Sequence, residues 1–191
     1  GNQGIIDDWI YEMPIASAQV KSALFLTALT ARKNITVVEG KYTRDHTERM
    51  INYFGGRVKS INKESKNYIT LSNKSMDKEH SNYIVAGDFS SSAFIIVAAL
   101  ISNQADVLIK NVGINETRSG LVNVLKEMNG NIQILNKRNQ CNEEVADIRV
   151  KSSKLKGIKV PSSVIPNIID EIPILSIAAS FADGRTSIKD A

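Results

Sequence analysis

The sequence predicts an α/β fold made of a repeated unit, and three observations indicate it. Three segments, "SAQVKSALFLTALTARKNITVVEG", "GDFSSSAFIIVAALISNQADVLIKNVG" and "PNIIDEIPILSIAASFADGRTSIKDA", each pass from a polar start through an Ala-rich apolar helix and a turn into a strand. The first two segments continue alike, because "TRDHTERMINYFGGRVKSI" matches "TRSGLVNVLKEMNGNIQIL" at a constant offset of 74 residues. The Ala-rich helices are apolar on nearly every face, which predicts that they are buried with sheets packed around them.

The predicted order of elements in each unit is strand, helix, strand, helix, strand, strand. "WIYEMPI" is predicted as the strand that leads into the first helix, and "NYIVAG" as its equivalent in the second unit. The strands "ITVVEG", "VLIKNVG" and "TSIKDA" follow the three apolar helices, and "NYITLS" and "ADIRVKS" end the first two units. Gly55, Gly56 and Gly130 are predicted to end the second helices. The unit is therefore βαβαββ.

A polar stretch, "KESKNYITLSNKSMDKEHSNY", separates the first two units. Its composition favours a loop-rich boundary, which we expect to end near Gly87 and Asp88. The predicted domains are residues 1–86 and 87–191.

Composition disfavours several classes of function. A net charge of +4 with scattered Lys and Arg, and only 6% aromatic residues, disfavours nucleic acid and fits a small anionic ligand. Cys141 is the only cysteine, and neither His46 nor His80 has a partner at metal-ligand spacing, so no disulfide and no metal site are expected.

The longest apolar run, "AFIIVAALI", is too short to cross a membrane and no leader opens the chain, which predicts a cytoplasmic protein. The first residue is not Met and the chain stops after a strand-like segment, so we expect a piece of a longer protein.

The stretch "ASAQ" leads directly into the first apolar helix. Ser17 suits a helix N-cap. Ser17 and Gln19 also suit an anion site, since a helix N-terminus offers free N–H donors and a positive dipole end. Both interpretations stay open on the residues alone.

The densest polar cluster is "YTRDHTERM". Asp45 and Glu48 have the spacing of an N-cap and its capping-box partner. Arg44 lies just outside that helix, where it is either solvated or holds a phosphate or carboxylate. A Ser-His-Asp triad of Ser17, His46 and Asp45 is disfavoured, because adjacent Asp and His on one helical turn cannot easily orient each other.

"GDFSSSAF" follows a strand and opens a helix, so Asp88 or Ser90 is expected to cap that helix, with ligand contact as the alternative. A single Gly87 argues against a glycine-rich phosphate loop.

Two acids interrupt the apolar stretch "PNIIDEIPILSIAA". Asp170 and Glu171 precede Pro173, which suits the first turn of a helix, where acids complement the dipole. Alternatively, one carboxylate lines a pocket and acts as a general base. In the repeat alignment Asp170 occupies the helix start that holds Ser17 and Gln19 in the first unit. The two helix starts are therefore expected to face the same ligand.

Taken together, "ASAQVKSA", "TRDHTERM", "GDFSSSAF", "NVGINETR" and "IDEIP" with "GRTSIKDA" resemble the EPSP synthase (3-phosphoshikimate 1-carboxyvinyltransferase) family, in the same order and over essentially the whole chain. Thr43 replaces the usual serine of the second motif. The related UDP-N-acetylglucosamine enolpyruvyl transferases share the fold but lack the first two motifs, and they remain an alternative. The resemblance implies an enolpyruvyl transferase-like fold with two lobes, each made of three βαβαββ units around buried parallel helices. Residues 1–86 would be the last unit of the first lobe, and residues 87–191 the opening units of the second.

The reaction that this resemblance implies is transfer of the enolpyruvyl group of phosphoenolpyruvate to the 5-hydroxyl of shikimate 3-phosphate, with release of phosphate. It implies no cofactor, no nucleic-acid or membrane partner, and a monomeric full-length form. By the same resemblance, Ser17 and Ala18 bind the shikimate phosphate, Gln19 contacts both substrates, and Arg44 holds shikimate 3-phosphate. Asp170 is implied both to bind substrate and to act as the base. Some family members have a second serine in place of Ala18.

Several of the family's residues have no counterpart in this sequence. Its lysine-serine-arginine group and a phosphoenolpyruvate arginine would precede residue 1, and a lysine-glutamate-arginine cluster would follow residue 191. We therefore expect part of the shikimate 3-phosphate site, little of the phosphoenolpyruvate site, and no turnover by this chain alone. A non-catalytic anion-binding or lobe-assembly module with the same fold is the competing hypothesis.

Overall fold

The computed structural model describes residues 8–72, 82–189 and 191. The chain divides into two compact units, Gly1–Tyr83 and Ile84–Ala191. The helices are α1 (Ala18–Ala31), α2 (His46–Tyr53), α3 (Phe89–Ile101), α4 (Gly120–Glu127) and α5 (Ile172–Ser180), with short 3₁₀ helices at Ser162–Asn167 and Ile169–Glu171. The strands are β1 (Trp9–Glu12), β2 (Ile35–Glu39), β3 (Arg57–Lys63), β4 (Lys66–Ser72), β5 (Asp106–Gly113), β6 (Asn131–Gln140) and β7 (Glu143–Lys151).

The first unit contains a four-stranded sheet in the order β1-β2-β4-β3. β1 and β2 are parallel and α1 connects them, whereas β4 runs antiparallel to both β2 and β3. Phe25 of α1 is fully buried against the alternating apolar residues of β2 and β4, among them Val37 and Leu71. This packing fixes the start of α1 relative to the carboxyl end of β2.

The second unit repeats the element order of the first. A three-stranded antiparallel sheet has the order β5-β7-β6, and α3 and α4 precede β5 and β6 as α1 and α2 precede β2 and β3. Its core joins apolar residues of α3, α4, β7 and α5, including Ile96, Leu125, Ile148 and Leu175. The repeat of helix, strand, helix, strand, strand is confirmed.

Two of the predicted strands are wrong. In "NYIVAG" only Gly87 pairs, as an isolated parallel bridge to Val112, at the point where a bulge shifts the register of β5. The described residues of "TSIKDA", 186–189 and 191, likewise contribute only an isolated parallel bridge, between Ser187 and Lys159. The segment that they pair with ends at Pro161, which lacks an N–H donor and precedes a 3₁₀ helix. Both segments therefore run parallel to the segment that they contact, as β1 does to β2, but neither forms a continuous ladder of hydrogen bonds.

Gly56 and Gly130, after the second helices, approach the helix backbone closely, since a Cβ would lie 2.9 Å from the carbonyl oxygen of Ile51 and 2.6 Å from that of Leu125. In both helices the left-handed position is one residue earlier, at Gly55 (φ 91°) and Asn129 (φ 71°). The N–H of Gly56 bonds to the carbonyl of Ile51, and Gly130 repeats this bond at the end of α4. This pattern is a Schellman motif, so the predicted helix ends are confirmed.

The apolar helices are buried on one face. The inward side of α3 includes Ala93, Ile96 and Val97, which are fully buried, whereas its outward side carries the exposed Phe94 and Ile95. α1 and α5 also show exposed apolar residues on one side. The sequence predicted that these helices are buried on nearly every face. In the described residues, each of the three instead has one face exposed to solvent. Within residues 8–72 and 82–189, no helix has the length and hydropathy that crossing a bilayer requires.

Candidate functional site

The start of α1 is capped by a serine that also donates a hydrogen bond within the first turn. Ser17 is the N-cap in an extended conformation, and its Oγ accepts a hydrogen bond from the N–H of Val20 at 3.4 Å. The same hydroxyl donates to Oε1 of Gln19 at 3.4 Å. The first turn contains no acidic residue. The predicted serine cap is confirmed, and it is compatible with an anion site because a hydroxyl accepts and donates at once.

A buried charge cluster ties α1 to the segment that follows β2. Lys21 is 1% exposed, and its Nζ lies 2.7 Å from Oε1 of Glu48 on α2 and 3.3 Å from Oε2 of Glu39 at the end of β2. A hydrogen bond of 2.6 Å between the hydroxyls of Ser22 and Thr47 adds a second link between the two helices. The first turns of α1 and α2 are thereby held side by side.

Glu39 also fixes the segment that carries Arg44. Its carboxylate accepts hydrogen bonds from the Oγ1 of Thr43 at 2.7 Å, from the Thr43 N–H at 3.3 Å and from Nδ2 of Asn67 at 3.1 Å. Thr43 is the position where the family's usual serine is replaced, and the hydroxyl that both residues share makes the contact. Arg44, which follows directly, is half-buried.

The predicted capping box at α2 is wrong. Asp45 occupies the N-cap position, but its side chain does not cap the helix and accepts a hydrogen bond from Nε of Arg49 at 2.8 Å. Glu48 is buried and pairs with Lys21, because a buried ammonium is a stronger partner for a carboxylate than a backbone N–H. No role was predicted for Lys21 from the sequence, although it is the one charged residue of α1.

The environment of Glu48 disfavours its charged form. Burial raises the pKa of the Glu48 carboxyl, and the hydrogen bond and charge of Lys21 act in the opposite direction. Among the described residues, Oε2 of Glu48 has no hydrogen-bond partner. The cluster therefore places one cation, Lys21, between the carboxylates of Glu39 and Glu48, and one oxygen of Glu48 accepts no hydrogen bond from the described residues.

In the second unit Asp88 caps α3. Its carboxylate accepts hydrogen bonds of 2.7 Å from both the N–H and the Oγ of Ser91, and these bonds hold the pKa of Asp88 below its usual range. Of the two predicted caps, Asp88 is therefore confirmed, whereas Ser90 has another role. The Oγ of Ser90 donates to Oε1 of Glu171 at 2.5 Å.

Asp170 and Glu171 lie on a 3₁₀ turn immediately before α5. Pro173 occupies the first turn of that helix, as predicted. Glu171 is 2% exposed, while the Asp170 side chain is 47% exposed. Nη1 of Arg118 donates to Oδ2 of Asp170 at 2.8 Å, and Nη2 donates to Oγ of Ser90 at 2.5 Å. No role was predicted for Arg118 from the sequence, although it lies in "NVGINETR" and the 74-residue offset aligns it with Arg44.

The predicted site residues fall in both units. Ser17, Ala18 and Gln19 lie together at the start of α1, and Arg44 lies on the segment that the Glu39 carboxylate fixes. Asp170 belongs to the second unit. His80 is outside the described residues. Within the ranges that the structure describes, no group of three or more His, Cys, Asp or Glu side chains is placed to hold a metal ion.

Comparisons with known proteins agree on one family. The family model described as EPSP synthase (3-phosphoshikimate 1-carboxyvinyltransferase) matches residues 6–191. A curated 3-phosphoshikimate 1-carboxyvinyltransferase from Petrotoga mobilis is 48% identical over 97% of this chain and 42% of its own length, and one from Syntrophotalea carbinolica is 49% identical over 93% of this chain and 40% of its own. A solved EPSP synthase from Acinetobacter baumannii superimposes with a TM-score of 0.85 at 42% identity, over 95% of this chain and 40% of that one. The chain thus spans about two fifths of the length of these relatives.

Proposed function

The chain belongs to the EPSP synthase family, and from that membership we propose that it carries part of the machinery that transfers the enolpyruvyl group of phosphoenolpyruvate to the 5-hydroxyl of shikimate 3-phosphate. The products are 5-enolpyruvylshikimate 3-phosphate and phosphate. Because the chain spans about two fifths of its relatives, the complete reaction is assigned to the whole enzyme and not to this chain alone. The same proposal places the enzyme in the cytoplasm, as a monomer that needs no cofactor.

The observation that carries the proposal is the fixed pairing of the α1 N-terminus with the Arg44 segment. Ser17 has a hydroxyl that caps the helix and whose proton, directed at Gln19 in this structure, can turn to a ligand, and the backbone N–H of Ala18 lies at the positive end of the helix. A phosphate placed there accepts from both groups. Arg44 supplies the charge-assisted contact, and Gln19 supplies an amide within reach of both substrates.

The proton acceptor in this proposal is Asp170. The 5-hydroxyl of shikimate 3-phosphate must lose its proton as its oxygen bonds to the enolpyruvyl carbon, and a carboxylate within hydrogen-bond reach is a suitable base. Asp170 is half-exposed next to the apolar start of α5. Closure of the complete enzyme around its substrates would remove water from this carboxylate and strengthen it as a base.

The first test is calorimetric titration of shikimate 3-phosphate into this chain. Ser17→Ala and Arg44→Ala are each expected to weaken binding by about 10- to 100-fold, the range for a lost hydrogen bond to a charged group. Arg57→Ala is the matched control, because it removes the same charge from the exposed start of β3. Equal weakening by all three variants would mean non-specific attraction and would overturn the proposed phosphate site.

The competing hypothesis, a non-catalytic module of the same fold, is separated by turnover. The chain is inserted in place of the matching segment of the Petrotoga mobilis relative, and the formation of 5-enolpyruvylshikimate 3-phosphate is measured. Asp170→Ala is expected to abolish turnover while the parent chimaera is active. Turnover that survives this change would exclude Asp170 as the base.

A further inference from the structure

We propose that Arg118 is a positioning residue that orients the Asp170 carboxylate and keeps it ionised. This inference deepens the proposed function and rests on Asp170 as the proton acceptor. The observation behind it is a hydrogen-bonded network in the second unit, in which one guanidinium joins Asp170 to the half-buried Ser90 and to the buried Glu171.

The guanidinium is itself firmly held. The Arg118 side chain is 15% exposed, and its Nη2 donates to Ser90 on α3 at 2.5 Å while lying 3.9 Å from Oε1 of Glu171. Ser90 in turn donates to that same carboxylate oxygen at 2.5 Å. With Nη2 used in this way, the rigid planar fork of the guanidinium aims Nη1 at Oδ2 of Asp170, 2.8 Å away.

Hydrogen bonds to Asn115 hold the turn that carries Arg118. Asn115 is 2% exposed, and its Oδ1 accepts from both the N–H and the hydroxyl of Thr117, while its carbonyl accepts from the N–H of Arg118 at 2.9 Å. Gly120 follows at the start of α4, where a Cβ would lie 2.9 Å from a side-chain carbon of Ile168. The glycine lets the turn before α4 approach the 3₁₀ segment that carries Asp170.

This geometry has a chemical consequence for the carboxylate. A cation at 2.8 Å favours the charged form of Asp170, whereas the nearby carboxylate of Glu171 disfavours it. Asp88 is a third acid within the field of Arg118, which contributes to its lowered pKa. With Arg118 in place, Asp170 is both oriented and unprotonated before substrate arrives, so it can accept the hydroxyl proton directly.

The test that does not depend on turnover is a ¹³C-carboxyl NMR titration of Asp170 in this chain. Arg118→Met is expected to move the titration midpoint of Asp170 upward by about one pH unit or more, and Arg118→Lys by less, because the lysine keeps the charge without the fork. Arg149→Met is the matched control, since it breaks another arginine–aspartate pair, to Asp106, in the same unit. A folded Arg118→Met chain with an unchanged Asp170 midpoint would overturn the proposal.

Turnover in the chimaera separates this inference from the function on which it rests. The acid limb of the kcat/KM profile is expected to move to higher pH in Arg118→Met, with partial recovery in Arg118→Lys and no change in Arg149→Met. An unchanged profile, with Asp170→Asn inactive, would refute the role of Arg118 and leave the proposed function intact. Full activity of Asp170→Asn would refute the proposed base and, with it, the role given to Arg118.

Discussion

Lys21 lies in the core of the first unit with its ammonium 2.7 Å from Glu48 and 3.3 Å from Glu39. Such a cluster does not by itself imply high stability, because the three groups give up hydration on burial. Removal of the cation has a different cost from removal of one anion, since it leaves two carboxylates together without a counter-ion. The cluster is therefore best tested by changing its charges one at a time.

Lys21→Met is expected to lower the free energy of unfolding by about 3–5 kcal/mol, the range for breaking a buried ion pair. Urea denaturation at neutral pH measures the change. Glu48→Gln is the matched control, because it removes one charge from the same cluster and leaves Lys21 opposite Glu39. A loss as large in Glu48→Gln as in Lys21→Met would show that the Lys21–Glu48 pair alone sets the effect, and would contradict the added cost of leaving two carboxylates without a counter-ion.

The pH dependence of stability gives a second test of Glu48. Its pKa is raised in the folded state by burial, so the folded chain binds more protons than the unfolded chain above the ordinary value of 4.5. Stability is therefore expected to fall as pH rises from about 4.5 through the raised pKa. Denaturation midpoints across this interval should show a smaller fall in Glu48→Gln than in the parent, and an equal fall would assign the effect to another group.

At the scale of elements, the ends of α2 and α4 show a constraint that the sequence only partly revealed. Gly55, Gly56 and Gly130 predicted the helix ends, but the left-handed residue is Gly55 in one helix and Asn129 in the other. The glycine that both repeats share is the next one, where a Cβ at Gly130 would lie 2.6 Å from the carbonyl oxygen of Leu125. Composition cannot separate these two uses of glycine, because the second depends on the distance between two backbone segments.

Gly130→Ala is therefore expected to destabilise the chain by about 1–3 kcal/mol, since the added methyl group meets a backbone oxygen that cannot move without disturbing α4. Gly40→Ala is the control, because a Cβ there would have no atom within 4 Å. That change is expected to be neutral or to stabilise by about 0.4–1 kcal/mol. Thermal unfolding of the two variants measures both effects, and equal losses would contradict the close-approach argument.

At the scale of the whole molecule, the repeat was predictable and the contacts between its parts were not. Internal similarity specified the order of helices and strands in both units. The pairing of "NYIVAG" and "TSIKDA" depended on the register of distant segments, so two expected strands became single bridges. The site follows the same division. Ser17 and Asp170 were proposed as site residues from motifs, whereas Lys21 and Arg118 gained their partners only when segments far apart in sequence came together.

The exposed apolar faces lead to the last prediction. Phe94 and Ile95 on α3 are 59% and 49% exposed, and the Ile177 side chain on α5 is 48% exposed. An exposed apolar surface of this kind favours association between molecules.

Sedimentation velocity of this chain is therefore expected to show self-association that grows with concentration, and Phe94→Glu is expected to reduce it. Ile61→Glu is the control, because it adds the same charge at a residue that is 65% exposed on the edge strand β3. Reduction by Ile61→Glu alone would instead indicate pairing through the sheet edge, since a charge on an edge strand blocks strand addition without altering α3.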